Sequence, residues 1–401
     1  MDSNNHNSRI PQLRFPGFEG KWEEKTLADI CYITAGGDAP KQNFSKVKTG
    51  IYNVPVISNG IGENAVYGYT DIPKITQSAV TVAARGTIGY AEYRDYPYYP
   101  IIRLLSVIAK DSTIDTKFLS YLLSVQKYHS TDGGIPQLTV PMIGSTIIPI
   151  PSLLEQRTIA ECLEAEDRMI SAQEQKVESL KAHKKGLMQQ LFPLPGTTTP
   201  ALRFPGFTSE WQEKPLSHFL HEHKTKSDGK CEVHSVSVTK GVVNQVEYLG
   251  RSFAASDTSK YNLAKPGDII YTKSPTGAFP YGIVKQNKNP YNVIVSPLYA
   301  VYTPVSQHVG YILDSYFESP VNTNNYLSSL IQKGAKNTIQ ISNDTFVSKS
   351  MCLPSNPAEQ QKIAECLESL DSLIASETKK LESLKTHKRG LMQQLFPQPN
   401  K

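Results

Sequence analysis

The eleven residues HKKGLMQQLFP, His183–Pro193, return 204 positions later as HKRGLMQQLFP, His387–Pro397. The repetition is wider than this phrase. Between Glu155–Pro193 and Glu359–Pro397, 25 of 39 positions are identical. LRFPGF occurs at Leu13–Phe18 and again at Leu202–Phe207, and the only two tryptophans, Trp22 and Trp211, follow at the same offset of 189. Residues 23–150 and 212–354 show no such likeness. A solenoid repeats every 20–50 residues, whereas this unit is about 200 residues long. Plain duplication of one domain would leave similar middles, and here the middles are what differ. The chain therefore reads as variable region, helix, variable region, helix: residues 1–150, 151–195, 196–354 and 355–401.

The 401 residues suffice for two or three domains with real cores. No run of eighteen apolar residues suggests a membrane span. The polar start, MDSNNHNSRIPQ, lacks an apolar signal core and points to a cytoplasmic protein. The five cysteines are odd in number and form no CxxC, which argues against a disulfide framework or a zinc site. A net charge of +5 permits a polyanionic partner without demanding one.

Pro151 and Pro193 bracket the first repeated block, and Pro357 and Pro397 the second, as helix limits. Apolar residues recur inside at steps of four and three: Ile159, Leu163, Ile170, Val177, Leu180, Leu187 and Leu191, then Ile363, Leu367, Leu370, Ile374, Leu381, Leu384, Leu391 and Leu395. That is a heptad-like seam. Gln173, Lys184, Glu377 and Lys388 interrupt it, either setting register or facing solvent. Acidic residues lead the first helix and basic ones close it, as the helix dipole prefers. A helix of roughly 36 residues, about 54 Å, needs a long partner. The other copy is the obvious one, in an antiparallel pair with pseudo-two-fold symmetry that would place the variable regions at opposite ends. A coiled coil serving dimerisation alone is the plainer alternative.

Both variable regions read as mixed and strand-rich, giving an α+β fold overall. Thr76–Tyr93 holds a β-branched run, a turn at Arg85-Gly86 and a second run; Gly267–Val284 repeats the plan with Lys273 and Gly277 in the turn. A loop with a cation, small hydroxyls and glycine suits close approach to a phosphate or base edge. Arg85, Thr87, Lys273, Ser274 and Thr276 are thus candidate DNA contacts, a solvated surface hairpin being the bland reading. Polar loops add Lys41, Asn43, Lys46, Ser58 and Asn59 in the first region, and Lys224, Lys226, Lys240, Lys333 and Lys336 in the second. Gln137 and Gln340 hold corresponding places before the two helices; glutamine can read adenine in the major groove or stabilise a turn. The cationic excess is small, 14 against 13 acids in residues 1–150 and 15 against 11 in 201–354.

Catalytic signatures are missing. There is no GxxxxGK[ST], HExxH or GxSxG, and Asn289-Pro290-Tyr291 only echoes the NPP[YF] of amino-methyltransferases. His221-Glu222-His223 has no third placed ligand and reads as a polar loop rather than a metal site.

LRFPGF…W before each variable region and EQ..IAECL…GLMQQLFP after it resemble the specificity subunit (HsdS) of a Type I restriction–modification system, over essentially the whole chain. The resemblance implies two target-recognition domains, each reading one half of a split, asymmetric double-stranded DNA target. It implies helices that set the spacing and recruit two copies of a modification (methyltransferase) subunit. S-adenosylmethionine would be bound by that partner, and ATP and Mg2+ by restriction/translocase subunits. This chain would then be non-catalytic and hold no cofactor or metal. The rival expectations are a methyltransferase or nuclease with an unrecognised catalytic site, and a coiled-coil scaffold without DNA specificity.

Overall fold

The structure, a computed structural model, describes residues 9–128, 136–194, 196–227, 229–251, 257–333 and 339–397. It divides into two compact units, one of residues 1–174 with 379–401 and one of residues 175–378.

In the first unit, β1 (Glu23–Thr26) pairs antiparallel with β10 (Ile147–Ile150), closing the variable region at its base. Thr26 then caps the short helix α1 (Leu27–Ile30) in a reciprocal box with Asp29. The main sheet has the order β2 (Cys31–Ala35), β9 (Leu104–Ala109), β6 (Ala79–Ala83), β7 (Ala91–Arg94), all antiparallel. All five residues of β6 are buried, as expected of a β-branched strand covered on both faces. On one side lies α2 (Thr116–Ser124), capped by Asp115. A second sheet has the order β3 (Phe44–Ser45), β5 (Val66–Thr70), β4 (Val54–Ile57), β8 (Tyr99–Pro100). The short helix α3 (Val140–Gly144) leads into β10. Phe118 of α2 is fully buried between Trp22 and Phe396, at ring distances of 6.0 and 5.6 Å.

The second unit repeats the plan with different residues. β11 (Gln212–Pro215) pairs with β22 (Ser350–Leu353). The main sheet runs β12 (Leu220–Glu222), β19 (Ala300–Pro304), β16 (Ile269–Thr272), β17 (Ile283–Gln286). Hairpin β13 (His234–Ser237)–β14 (Gly241–Asn244) is followed by α5 (Gln245–Leu249), and β15 (Asn262–Ala264) pairs with β18 (Val293–Val295). Helices α6 (Gln307–Glu318), α7 (Pro320–Ser328) and α8 (Asn343–Ser348) complete it, with the two-residue ladder β20 (Gln332–Lys333)–β21 (Ile339–Gln340) before α8. Tyr271 stacks on Phe346 at 4.3 Å in the core. The order β2-β9-β6-β7 thus has its counterpart in β12-β19-β16-β17, so dissimilar sequences share one frame.

The repeated blocks form α4 (Leu153–Leu191) and α9 (Pro357–Leu395), 39 residues each and about 58 Å long. Pro357 is the first residue of α9 rather than the residue that bars it, a position where the missing N–H costs nothing. In the first unit, α4 runs antiparallel to the end of α9: Asp167 pairs with Lys388, and Glu174 with Lys385 at 2.8 Å. In the second unit Lys176 meets Glu377 at 2.6 Å and Lys184 meets Asp371 at 2.5 Å. Of the seam residues, Ile159, Leu163 and Leu395 are buried in the core of the first unit and Leu191, Ile363 and Leu367 in that of the second. Val177 and Leu381 are buried outside those cores, and Ile170, Leu180, Leu187, Leu370, Ile374, Leu384 and Leu391 are half-buried. The seam interruptions do not face solvent: Gln173 and Lys184 are buried, and Glu377 and Lys388 half-buried. No helix among the described residues is long and apolar enough to cross a membrane.

Candidate nucleic-acid interface

In the first unit the β6–β7 hairpin forms where the sequence places it, with Ala79 opposite Arg94 and Val82 opposite Ala91. Its loop is stitched at the root. The Ala84 N–H donates to the Arg103 carbonyl at 3.0 Å, and the Leu138 N–H donates to the Ala84 carbonyl at 2.8 Å. Three separate segments therefore present Arg85, Arg103 and Gln137 next to one another. Arg103 Nη1 donates to Gln137 Oε1 at 2.8 Å, a pair that offers a forked cation and an amide together. Thr87 Oγ1 donates to the Asn59 carbonyl at 3.2 Å, joining the loop after β4 to the same patch. The Asn59 Oδ1 is buried and has no hydrogen-bond partner among the described residues.

Of the other candidates of this unit, Ser58 is half-buried and Lys41, Asn43 and Lys46 are exposed. Ser58 donates its hydroxyl to the Ala65 carbonyl at 3.2 Å. Lys46 lies 3.4 Å from the Tyr67 ring centroid and donates to the Tyr67 carbonyl at 3.1 Å, so its charge is held against the sheet. Lys41 and Asn43 are exposed, Asn43 with a positive φ of 54°.

In the second unit the equivalent hairpin, β16–β17, pairs Ile269 with Gln286 and Thr272 with Ile283. Residues 273–278 are exposed throughout. Their loop is nevertheless fixed. Thr276 and Phe279 exchange backbone hydrogen bonds at 3.0 and 2.9 Å, Phe279 is buried, and Asn324 of α7 holds the Ala278 carbonyl at 3.1 Å. At its far root Gly282 has φ +102°, and a Cβ there would lie 1.9 Å from the Thr272 carbonyl oxygen. Lys273, Ser274 and Thr276 are thus displayed on a rigid turn, with the Thr276 hydroxyl resting on the Ser274 carbonyl at 3.3 Å. Desolvation holds the Lys273 ammonium below the usual lysine range, with Glu222 opposing the shift.

Lys224 and Lys240 are exposed, Lys240 in the β13–β14 turn. Lys226 is tied to Asn262 Oδ1 at 2.6 Å and to the Lys260 carbonyl at 3.2 Å. Lys333 and Gln340 lie on β20 and β21, where only the backbone is described, and Lys336 lies outside the described residues. His221-Glu222-His223, expected as a polar loop, instead begins on a strand: His221 and Glu222 lie on β12, paired with Thr303 and Tyr302. His223 contacts Asp268 at 2.9 Å and Glu222 accepts from Asn343 at 2.7 Å. Among the described residues no group of three such side chains is placed to hold a metal ion.

Sequence reasoning missed Arg103, which sits in the apolar run YYPIIRLL. It also missed what the repeated frame residues do. Arg14 grips Glu155 at 2.8 Å through both Nε and Nη2, and Trp22 Nε1 donates to the same carboxylate at 3.2 Å. Arg203, Glu359 and Trp211 reproduce this at 2.6, 2.8 and 3.2 Å. The separated phrases LRFPGF…W and EQ are two halves of one latch, closing each variable region onto the first turn of its helix.

The family model described as Type I restriction modification DNA specificity domain matches twice, over residues 19–182 and 209–386. A type I specificity subunit of Mycoplasma pneumoniae is 36% identical over 139 residues, which are 34% of this chain and 38% of that protein. The specificity subunit of the Type I restriction enzyme MjaVIII of Methanocaldococcus jannaschii is 24% identical over 317 residues, 72% of this chain and 71% of the relative. The matched stretch thus spans well under half the length of the Mycoplasma pneumoniae relative and about seven tenths of the archaeal one. In fold, the chain resembles the crystal structure of the Type-I restriction-modification system S subunit from M. genitalium, with TM-score 0.63, 14% identity, and 97% and 100% of the two chains covered. With two matched copies spanning most of its length, the chain belongs to the Type I restriction modification DNA specificity domain family.

Proposed function

We propose that this chain is the DNA sequence-recognition subunit of a Type I restriction–modification complex, each variable domain reading one half of a bipartite, asymmetric target. The observation that carries this reading is the pair of hairpins. Unlike sequences deliver a cation and small hydroxyls on a fixed loop at the same place in two sheets of the same strand order. Backbone-directed cations would position the duplex, and side chains such as Arg85, Arg103 and Gln137 would read base edges. Two modest readers held on one stiff spacer gain effective concentration and select for spacing as well as sequence. The repeated helices offer the same faces twice, which suits two copies of one methyltransferase subunit. In this reading the chain is non-catalytic and cytoplasmic. S-adenosylmethionine belongs to the modification subunit, and ATP and Mg2+ to restriction subunits.

The test is co-expression with a cognate modification subunit, followed by mapping of methylated sites across a genome. One two-part target is expected, and exchange of residues 212–354 for another such domain changes one part only. Methyl transfer by the isolated chain with S-adenosylmethionine and DNA would overturn the non-catalytic assignment.

A further inference from the structure

One arrangement recurs in both units that involves the repeated helices and the variable domains together. In the first unit the Tyr121 hydroxyl, on α2, donates to Asp167 Oδ2 at 2.6 Å. The other oxygen of that carboxylate accepts from Lys388 Nζ of α9, whose ammonium lies 5.0 Å from the Tyr121 ring centroid. In the second unit the Tyr311 hydroxyl, on α6, donates to Asp371 Oδ2 at 2.6 Å, and Asp371 Oδ1 pairs with Lys184 Nζ of α4 at 2.5 Å. The aspartates and lysines are copies at the repeat offset of 204. The tyrosines are 190 residues apart, on helices whose sequences around them, FLSYLLS and HVGYILD, share only that tyrosine and one leucine.

Each carboxylate thus joins three elements: a helix of the variable domain, the long helix that follows that domain, and the other long helix. Burial, reinforced by the aspartate behind each hydroxyl, pushes both phenols up, so they stay protonated donors through the neutral range. A charge-assisted hydrogen bond of this kind is directional as well as strong. A contact that only added stability would not need the same atom from two diverged helices.

We propose that the Tyr121–Asp167–Lys388 and Tyr311–Asp371–Lys184 triads are positioning pins that fix the angle at which each recognition domain is carried on the helix pair, and so set the number of base pairs accepted between the two half-sites. The proposal rests on the bipartite-recognition reading. It assigns spacing to residues that touch no DNA, and makes a correctly placed phenol the requirement a variable domain must meet to fit this frame.

The experiment uses the full chain co-purified with a modification subunit, and a DNA library in which the spacer between fixed half-sites varies one base pair at a time. The unsubstituted chain is expected to favour one spacer by about tenfold, the discrimination one hydrogen bond to a charged group can supply. Tyr121→Phe and Tyr311→Phe, which each remove one hydroxyl, should bring neighbouring spacers within about threefold while the half-site sequences stay the same. Assembled Phe variants with an unaltered spacer profile would overturn the proposal. Should Tyr311→Phe fail to assemble, Asp371→Glu keeps both partners with one extra methylene and gives the same reading. Failure of both to assemble assigns the triad to folding alone and also overturns it. A two-part target absent from the unsubstituted chain would instead defeat the underlying reading.

Discussion

Glu359 has no exposure to solvent, and both of its carboxylate oxygens are held by Arg203, through Nε at 2.6 Å and Nη2 at 2.8 Å. The same grip joins Glu155 to Arg14 in the first unit. A buried carboxylate in this state depends on its partner, because removing the cation leaves an uncompensated charge out of water. Arg203→Met is therefore expected to cost about 3–5 kcal/mol, and Arg203→Met with Glu359→Met much less. Urea titrations followed by circular dichroism measure both. Equal losses in the single and double variants would show that the latch acts through packing rather than charge.

Trp22 and Trp211 are the only tryptophans, both buried, and each donates to the latch glutamate of its own unit. Trp211→Phe leaves a reporter of the first unit, and Trp22→Phe a reporter of the second. Removal of residues 379–401 should then lower the unfolding midpoint seen by Trp22, because Leu395 and Phe396 belong to the core around Phe118. The midpoint seen by Trp211 should hold. A matched fall in both would contradict the division of the chain into these two units.

Burial raises the phenols of Tyr121, Tyr302, Tyr311 and Tyr326 above the ordinary tyrosine value of 10.0. A group whose folded pKa is raised contributes stability that is complete below the unfolded value and is lost as the pH climbs from there toward the folded one. The denaturation midpoint should thus be flat from neutral pH to about 9 and fall steadily above about 10. Tyr311→Phe should flatten part of that alkaline limb. A limb unchanged by the substitution would remove Tyr311 from the account.

On the recognition surfaces, Arg103→Ala is expected to weaken binding by about 1–3 kcal/mol and relax selectivity in one half-site only. Lys273→Ala should act on the other half-site, and more weakly if it contacts phosphate rather than a base. Competition binding at one fixed salt concentration, with duplexes scrambled in either half, separates the two. If Arg103→Ala and Lys273→Ala impaired the same half, the assignment of one half-site to each hairpin would be wrong.

The frame was legible because it is written twice. Identical phrases located α4 and α9, and the four-and-three spacing identified residues such as Leu163 and Leu367, each wholly buried. The β6–β7 and β16–β17 hairpins were legible from β-branched runs around a turn. Arg103 was hidden, because a cation in an apolar run gives no local sign that tertiary hydrogen bonds will set it beside Gln137. The tyrosine pins were hidden for a related reason: one member of each triad, the tyrosine, lies in sequence that does not repeat. Lys184 looked like a flaw in an apolar stripe. Its meaning depended on Asp371 and Glu318, 187 and 134 residues away.

The division of the two long helices between the units bears on how the chain is made. Residues 175–378 are contiguous and emerge together, whereas residues 1–174 need 379–401 to complete their core. At 5–20 residues per second, the ribosome spends roughly 10–40 s on the intervening 204 residues. Through that interval Phe118 and its neighbours wait without Phe396, exposed to chaperones and proteases. The half of the protein that is begun first is finished last, and its apolar floor is most open to misassembly while the second half is already closing.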